Sequence, residues 1–277
     1  MILDGAVGTE LAQRGVATDG PRWSANAILS APDVLTAIHR DYARAGASVH
    51  TAATFRTKRR AAGAEWEALT RKAVALARAA IPAGHRVAGS LAPLEDCYRP
   101  DLAPDDRALL AREHGEFARA LVAAGVDLLL AETFASPVEA IAATEACVAT
   151  GIETWTALTA GPNGDLLSPE ALADAARRCA EAGASGVLVN CVAASKTGSY
   201  VDALAHLLTH SGIRFGAYAN AGERDEGIGW GAGSEGSARY AALAQTWLDA
   251  GATIIGGCCG TGPAHIEAVA RLVRSAD

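Results

Sequence analysis

Aromatic side chains are scarce in this 277-residue sequence, at 5% of all residues, and there is a single methionine. The hydrophobic core must therefore be built mainly from Ala, Val, Leu and Ile. The length and the 50% hydrophobic content suffice for one large core and do not require two domains. We expect a single domain over residues 1–277.

Long apolar runs, a targeting leader and basic clusters are also missing. No stretch reaches the roughly 18 apolar residues of a membrane span, and the start shows no basic segment or cleavage site. We expect a cytoplasmic protein without a membrane partner. The net charge of -7 excludes a large nucleic-acid surface. Six cysteines in a reducing compartment indicate thiols or metal ligands rather than a disulfide framework.

Short β-branched or leucine-rich runs alternate with amphipathic helical stretches along the whole chain. Strict alternation of this kind implies a parallel sheet, and eight units in this length favour a closed barrel. The sequence thus predicts an α/β fold, a single (β/α)8 TIM barrel. The predicted strands cover residues 1–4, 48–52, 86–91, 127–132, 153–159, 186–191, 214–220 and 253–257, and the helices 32–45, 65–81, 104–124, 137–149, 169–182, 195–210, 237–250 and 263–275.

Three cysteines stand where predicted strands end. Cys191 closes one strand, and Cys258 and Cys259 follow another. Three thiolates suit zinc, whose fourth position is then open to water or substrate. Adjacent cysteines can share one metal only if the chain turns there, which Gly260 and the glycines before the pair would permit. Separate buried thiols or a redox-active pair are the alternatives.

The other cysteines carry less information. Cys147 and Cys179 lie inside alanine-rich helical stretches, where inert buried thiols are the usual case. The sequence does not decide the role of Cys97.

Other polar residues also stand at predicted strand ends, where barrels of this class carry their chemistry. They are Asp4, Thr51, Thr54, Ser90, Glu132 and Asn220. We expect two carboxylates, an amide and three thiolates to meet at the opening formed by the carboxyl ends of the strands, which is called the mouth below.

Five motifs, in order and across nearly the whole chain, resemble the homocysteine S-methyltransferase family. They are DGAVGTEL at residues 4–11, ET at 132–133, VNC at 189–191, YANAGE at 218–223 and IGGCCGT at 255–261. The resemblance implies a zinc bound by Cys191, Cys258 and Cys259 that activates the homocysteine thiol. It also implies small-molecule partners, namely homocysteine and a methyl donor. The oligomeric state stays open.

The amino-acid end of homocysteine needs partners of its own. Glu132 can hold the ammonium with Asp4 nearby, and both match substrate-binding positions of the family. The backbone N–H groups of residues 5–8, which begin at Gly5, can bind the carboxylate of homocysteine as an anion nest. A capping or loop-stabilising role is the alternative for Asp4. Asn220 is expected either to act as a displaceable fourth zinc ligand or only to orient a loop.

The resemblance favours a small sulfonium donor, S-methylmethionine or S-adenosylmethionine, giving methionine. Segment 94–100, however, departs from the longer glycine-rich segment of such members. Two alternatives remain. The chain could be the homocysteine-binding component of a corrinoid-dependent multiprotein system, or a metal-free thiol-redox barrel.

Aromatic rings near the mouth would attract a sulfonium or quaternary ammonium donor by cation–π contact. The candidates are Trp23, Phe55, Phe134, Tyr218 and Trp230, with core or lid packing preferred for Phe55 and Phe134. The glycine-rich stretch 221–236 is expected to be a mobile lid or a solvated loop.

Overall fold

The computed structural model describes residues 1–20, 22–208, 211–222, 226–229 and 233–275. Helices and strands alternate through it. The strands are β1 (Val49–Thr51), β2 (Arg86–Leu91), β3 (Leu128–Phe134), β4 (Thr154–Leu158), β5 (Gly186–Ala193), β6 (Arg214–Asn220) and β7 (Ile254–Gly257). The helices are α1 (Val7–Gln13), α2 (Ala27–Ser30), α3 (Pro32–Ala45), α4 (Arg59–Ala62), α5 (Trp66–Ala80), α6 (Arg107–Ala123), α7 (Pro137–Val148), α8 (Pro169–Glu181), α9 (Ala194–Leu208), α10 (Gly233–Asp249) and α11 (Pro263–Ser275).

The seven strands form one parallel sheet in the order of the chain, from β1 to β7. Each neighbouring pair is joined by a connection that carries a helix, as parallel pairing requires. Because the strands are parallel, their carboxyl ends all lie at one edge of the sheet. The sheet curls, so that this edge surrounds the mouth.

The first predicted strand, residues 1–4, is not a full strand. It forms two isolated parallel bridges, Ile2 to Ile255 and Leu3 to Val49. The Leu3 N–H donates to the Ile255 carbonyl over 2.8 Å, and the Asp4 N–H donates to the Val49 carbonyl over 3.0 Å. The segment thus contacts both edge strands, but it is too short to make a regular ladder with either.

Ala-Gly elements end the helices that precede β1, β3, β5 and β7. Gly46 follows α3 with φ 108° and Gly183 follows α8 with φ 109°. Glycine is preferred at the left-handed position after the last helical turn, because glycine has no Cβ.

The core has two layers, as expected of a curled sheet covered by helices. A small cluster that includes Leu3, Leu130, Trp155, Leu188 and Ile254 fills the space inside the sheet. A much larger cluster, rich in Ala, Val and Leu, packs between the sheet and the helices. The inner cluster lies below the mouth and forms its floor.

An ion cluster covers the opposite, amino-terminal end of the sheet. Glu153 accepts hydrogen bonds from Arg86, over 2.6 Å, and from Arg214. Trp155 Nε1 donates to the same carboxylate over 2.8 Å. Although burial raises it, the two guanidinium hydrogen bonds lower the pKa of Glu153 to about 2. Both arginines also stack on the Trp155 ring.

The glycine-rich stretch 221–236 differs in part from the expectation. Its last residues belong to α10, which begins at Gly233 rather than at Ser237. Residues 223–225 and 230–232, including Trp230, lie outside the described residues, and so does most of the charge run of the predicted lid. Among the described residues, none of the helices has both the length and the hydropathy to cross a membrane.

Candidate metal centre and substrate pocket

Cys191, Cys258 and Cys259 converge at the mouth, with their sulfur atoms all within 4.8 Å of one another. Cys191 lies near the end of β5, and the other two follow β7 directly. The structure pairs the Cys191 and Cys258 sulfurs as a disulfide, with the Cα atoms 5.7 Å apart. The sequence predicts no disulfide, but three thiols that converge on one point also come within bonding reach of each other.

A tight turn after β7 brings the adjacent cysteines to one side. The Thr261 N–H donates to the Cys258 carbonyl over 3.1 Å, and the Thr261 hydroxyl donates to the same oxygen over 2.7 Å. Gly260, with φ 80°, supplies the left-handed residue of the turn. Its N–H donates to Thr9 Oγ1 over 3.1 Å, which ties the turn to α1.

Cys191 occupies a strained position. Its φ is 52°, in the left-handed region that non-glycine residues rarely adopt. The register of β5 against β6 shifts between Asn190 and Ala193, so the chain bulges at this cysteine. Such strain is often stored at functional sites. Here it accompanies the turn of the thiol towards the two cysteines of β7.

Glu132 lies on β3 with its carboxylate held from both sides. Ser90 donates its hydroxyl to Oε1, and the Tyr218 hydroxyl donates to Oε2 over 2.9 Å. Burial raises the pKa of Glu132, and these two hydrogen bonds lower it in part. The next residue, Thr133, has φ 66° and accepts a 2.8 Å hydrogen bond from Asn190 Nδ2. The bulge at Thr133 helps to set the direction of the Glu132 side chain.

Asp4 is buried beside β1. Its Oδ2 accepts a hydrogen bond from the Thr51 N–H over 2.9 Å, and His39 Nδ1 lies 4.0 Å away. Burial raises the pKa of Asp4 well above its usual range. Asp4 does not cap the following helix, because α1 has Ala6 at its N-cap and no side-chain cap. The loop-stabilising contact is present, to the end of β1.

Asn220 ends β6 behind the cysteines. Its Nδ2 donates to the Cys191 carbonyl over 3.0 Å. Its Oδ1 is buried and accepts no hydrogen bond from the described residues. The contact from Nδ2 orients the Cys191 segment.

One cavity of about 600 Å³ opens at the mouth. Six of the predicted site residues line it, and Asn220 does not: the six are Asp4, Gly5, Glu132, Cys191, Cys258 and Cys259. Burial raises the pKa of the Cys259 thiol to about 11, and the charge of Glu132 adds to this effect. The carboxylate therefore lies close enough to the cysteine to act on it electrostatically.

Of the predicted aromatic residues, Trp23, Phe55 and Tyr218 line the cavity. Phe55 was expected to pack in the core or against the lid. It is instead partly exposed at the mouth, where it meets Trp23 edge to face at 6.3 Å between ring centroids. Phe134 packs in the large core, as expected.

Comparison with known proteins agrees with this geometry. A family model described as homocysteine S-methyltransferase matches residues 1–273. The chain belongs to the homocysteine S-methyltransferase family. The Escherichia coli (strain K12) homocysteine S-methyltransferase is 32% identical in an alignment 296 positions long, gaps included, which covers 97% of this chain and 94% of that protein.

Solved structures of the homocysteine methyltransferase MmuM from Escherichia coli are similar to this fold. The metallated form is 28% identical and superposes with a TM-score of 0.82, covering 98% of this chain and 96% of that one. The oxidised form is 29% identical, also with a TM-score of 0.82, over 100% of this chain and 96% of that one.

In this member of the homocysteine S-methyltransferase family, the donor set at the mouth fits a metal ion. Three sulfur ligands converge within 4.8 Å, and thiolates select soft or borderline metals such as zinc, copper(I) and iron.

Several contacts of this homocysteine S-methyltransferase family site are absent from the sequence prediction. Tyr218 was considered only as a ring for a cationic donor, yet it holds Glu132. Its position near the carboxyl end of β6, where the side chains of the site were expected, is the signal that could have indicated the contact. His39 and His50 were not expected beside Asp4, where the three residues form a second close group.

Both histidines of this group are structural in character. Burial lowers the pKa of His39 to about 4 and, aided by neighbouring histidines, that of His50 to about 3. His50 Nε2 lies 3.1 Å from His85 Nδ1. Both rings are therefore neutral near pH 7 and leave Asp4 without a cationic partner.

Proposed function

We propose that this chain is a zinc-dependent enzyme that transfers a methyl group from a small sulfonium donor, S-methylmethionine or S-adenosylmethionine, to the thiol of L-homocysteine. The product is methionine. The observation that carries the proposal is the convergence of three cysteine sulfurs beside a buried glutamate in one cavity, in a chain of this family.

Zinc is the metal that best suits three thiolates with an open position. In the proposal Cys191, Cys258 and Cys259 hold it, and the homocysteine sulfur takes the fourth position. When bound, the metal lowers the pKa of the substrate thiol so that a thiolate forms near neutral pH. Asn220 Oδ1, buried and unpartnered, is the proposed ligand in the absence of substrate.

The residues of the chain bind and orient homocysteine. Glu132 receives the ammonium group, because its two oxygens are already fixed by Ser90 and Tyr218. Asp4 supports the same group from the neighbouring wall of the cavity. The positive charge of the bound ammonium group favours the ionised form of both carboxyls. It thereby counteracts the rise in their pKa that burial causes. The backbone N–H groups that begin at Gly5 face the carboxylate, since no side chain caps α1.

The chemical step forms one bond and breaks one bond. The homocysteine sulfur donates an electron pair to the methyl carbon, and the bond between that carbon and the sulfonium sulfur breaks. Its electron pair stays on the departing sulfur, which becomes a neutral thioether, and the thiol proton has passed to solvent before the transfer. In-line placement of the two sulfurs in the cavity supplies the remaining rate enhancement.

The domain organisation follows the same proposal. We take residues 1–277 as a single homocysteine-binding (β/α)8 barrel, with residues 1–4 as its first strand. The hydrogen bonds from Leu3 to Ile255 and from Asp4 to Val49 support closure between β7 and β1.

The thiol-redox alternative was predicted for the adjacent pair Cys258 and Cys259, whereas the structure pairs Cys191 with Cys258 and leaves Cys259 free. This pairing favours a thiol-redox function at a different pair of cysteines. A redox protein would cycle this bond without metal, whereas the proposed enzyme needs both thiols reduced. Metal content and turnover of reduced protein separate the two functions.

The test is mass spectrometry of methionine formed by anaerobically purified, zinc-loaded protein. Homocysteine is supplied with S-methylmethionine, S-adenosylmethionine and betaine, whose methyl groups carry different deuterium counts. Methionine with a single sulfonium-derived label supports the proposal. No methionine despite bound zinc would contradict it, and activity restored only by a methyl-carrying corrinoid protein would identify the partner-dependent alternative.

The matched variants are Cys258→Ser and Cys179→Ser. Cys179 is buried in the core away from the cavity, so its variant controls for loss of any thiol. We expect Cys258→Ser alone to lose zinc and turnover. Full zinc content and full turnover in Cys258→Ser would make the metal mechanism wrong.

A further inference from the structure

The cavity extends beyond the residues assigned to homocysteine. Its outer wall comes from the segments that contain Phe55 and Cys97, which follow β1 and β2. Glu132 and Cys191 at the inner end are buried, while this wall is partly exposed. A transfer between two substrates requires a second ligand in the same cavity, so the wall is where the donor must lie.

Five charged side chains line the outer wall, and three of them are already engaged. Lys58 Nζ donates to the Pro93 carbonyl. Arg60 pairs with Glu95 and also binds Glu113 over 2.6 Å. These groups hold the wall together and are not available to a ligand.

Arg56 and Asp96 are the two that remain. Within the described part of the chain, no ion pair joins either residue to another side chain. Asp96 Oδ1 accepts only the local Tyr98 N–H, over 2.8 Å. The Arg56 guanidinium carbon lies 5.5 Å from the Phe55 ring centroid, which fixes the half-buried side chain beside the mouth. Both charges act on the buried Cys97 thiol, in opposite directions.

An unpaired cation and an unpaired anion on one wall match a zwitterion. A guanidinium binds a carboxylate through two parallel hydrogen bonds, and a carboxylate binds an ammonium group. The Trp23 and Phe55 rings stand beside them, and the Trp23 indole lies so close to Gly8 that a Cβ there would overlap it. The rings therefore extend from the homocysteine end to the outer wall, where a sulfonium would meet their faces.

We infer that the outer wall is a subsite for the α-amino-acid end of the methyl donor, with Arg56 binding its carboxylate and Asp96 its ammonium group. This inference rests on the proposed methyl transfer. Two sulfonium compounds share this end, S-methylmethionine and S-adenosylmethionine. The subsite excludes neither, but it disfavours donors without a carboxylate.

The experiment compares Arg56→Gln with Arg59→Gln. Arg59 is the neighbouring, exposed arginine, which binds Glu116 outside the cavity. Initial rates are measured with S-methylmethionine, S-adenosylmethionine and trimethylsulfonium, a donor without an amino-acid end. We expect Arg56→Gln to raise the donor KM about 10-fold for whichever amino-acid sulfonium the wild type uses, as loss of a charged hydrogen bond predicts. The KM for homocysteine, the zinc content and the rate with trimethylsulfonium should stay at the wild-type level, and Arg56→Lys should recover part of the loss.

Asp96→Asn provides an independent arm at an exposed residue. It should raise the KM for S-methylmethionine but not for dimethylsulfoniopropionate, which has the carboxylate and lacks the ammonium group. An Arg56→Gln variant with an unchanged donor KM, or with equal losses for all donors, would overturn the subsite alone. Wild-type protein that transfers no methyl group from any donor would overturn the proposed function and the subsite together.

Discussion

Tyr218 donates a 2.9 Å hydrogen bond to Glu132 Oε2 and so joins the end of β6 to β3 across the cavity. In a buried site this bond favours the ionised form of Glu132, which in the proposed function binds the ammonium group of homocysteine. The pair thus couples β6 to the proposed recognition of the substrate.

Tyr218→Phe should weaken homocysteine binding. Without the hydroxyl the pKa of Glu132 rises further, a smaller fraction is ionised near neutral pH, and the KM for homocysteine should increase about 10-fold. The ratio of variant to wild-type KM should fall as the pH is raised, because Glu132 ionises again. Tyr200→Phe is the control, since its hydroxyl bonds the Gly164 and Leu167 carbonyls away from the cavity. A ratio near one at every pH would show that the bond does not serve binding.

Asn220→Ala should separate the two roles considered for this residue. If Asn220 binds the metal only when substrate is absent, the variant without homocysteine should bind zinc about 10-fold more weakly than the wild type. With homocysteine present, the zinc affinities of variant and wild type should be equal. If Asn220 only orients the Cys191 carbonyl, the loss should be equal in both states. Zinc affinity is measured by competition with a chromophoric chelator. Asn26→Ala is the control, because it removes only an exposed hydrogen bond from the Asn26 amide to the Asp19 carbonyl.

Glu153→Gln should lower stability in a pH-dependent way. The folded pKa of about 2 lies below the unfolded value of about 4.3, so the ionised group stabilises the fold above that value. The contribution is lost as the pH falls towards 2. After allowance for solvent screening we expect a loss of about 1–2 kcal/mol at pH 7.

Urea unfolding from pH 7 to pH 3 measures the effect of Glu153→Gln. The gap between variant and wild type should narrow as the pH falls. Glu181→Gln removes an exposed pair with Arg177 and should cost almost nothing. A gap independent of pH would mean that packing of the side chain, and not its charge, stabilises this end of the sheet.

Gly216→Ala and Gly198→Ala should change stability in opposite directions. A Cβ at Gly216, inside β6, would overlap the Ile254 carbonyl oxygen of β7, whereas one at Gly198 in α9 would meet no atom within 4 Å. We expect a loss of about 3 kcal/mol or more for the first and a gain of about 0.5–1 kcal/mol for the second. Thermal unfolding of both variants measures the difference. A tolerated Gly216→Ala would show that β6 and β7 can separate at this point.

The order of strands and helices follows from local patterns, and the cysteines at the ends of β5 and β7 were predictable because parallel strands share a carboxyl edge. The first segment was not, because its two bridges depend on Ile255 and Val49, far away in the chain. The start of α10 was missed because Gly233 and Gly236 are poor helix formers in isolation.

Within the site, the sequence shows which residue types stand at the mouth but not how they pair. The hydrogen bonds of Glu132 with Ser90 and Tyr218 join three strands. The bulges at Thr133 and Cys191 are set by register shifts between neighbouring strands. Neither leaves a periodic signal in the chain.

The packed floor of the cavity also bears on the order of events. Beneath it, Leu130, Trp155 and Leu188 fill the inside of the sheet, and the cluster around Glu153 covers the far end. In the described part of the chain a ligand therefore has no passage through the sheet, and both substrates share one opening. In the proposed arrangement, with homocysteine at the cysteines and the donor at Arg56, we expect the acceptor to bind before the donor covers it. We then expect the spent donor to depart before methionine, so that turnover follows a first-in, last-out sequence.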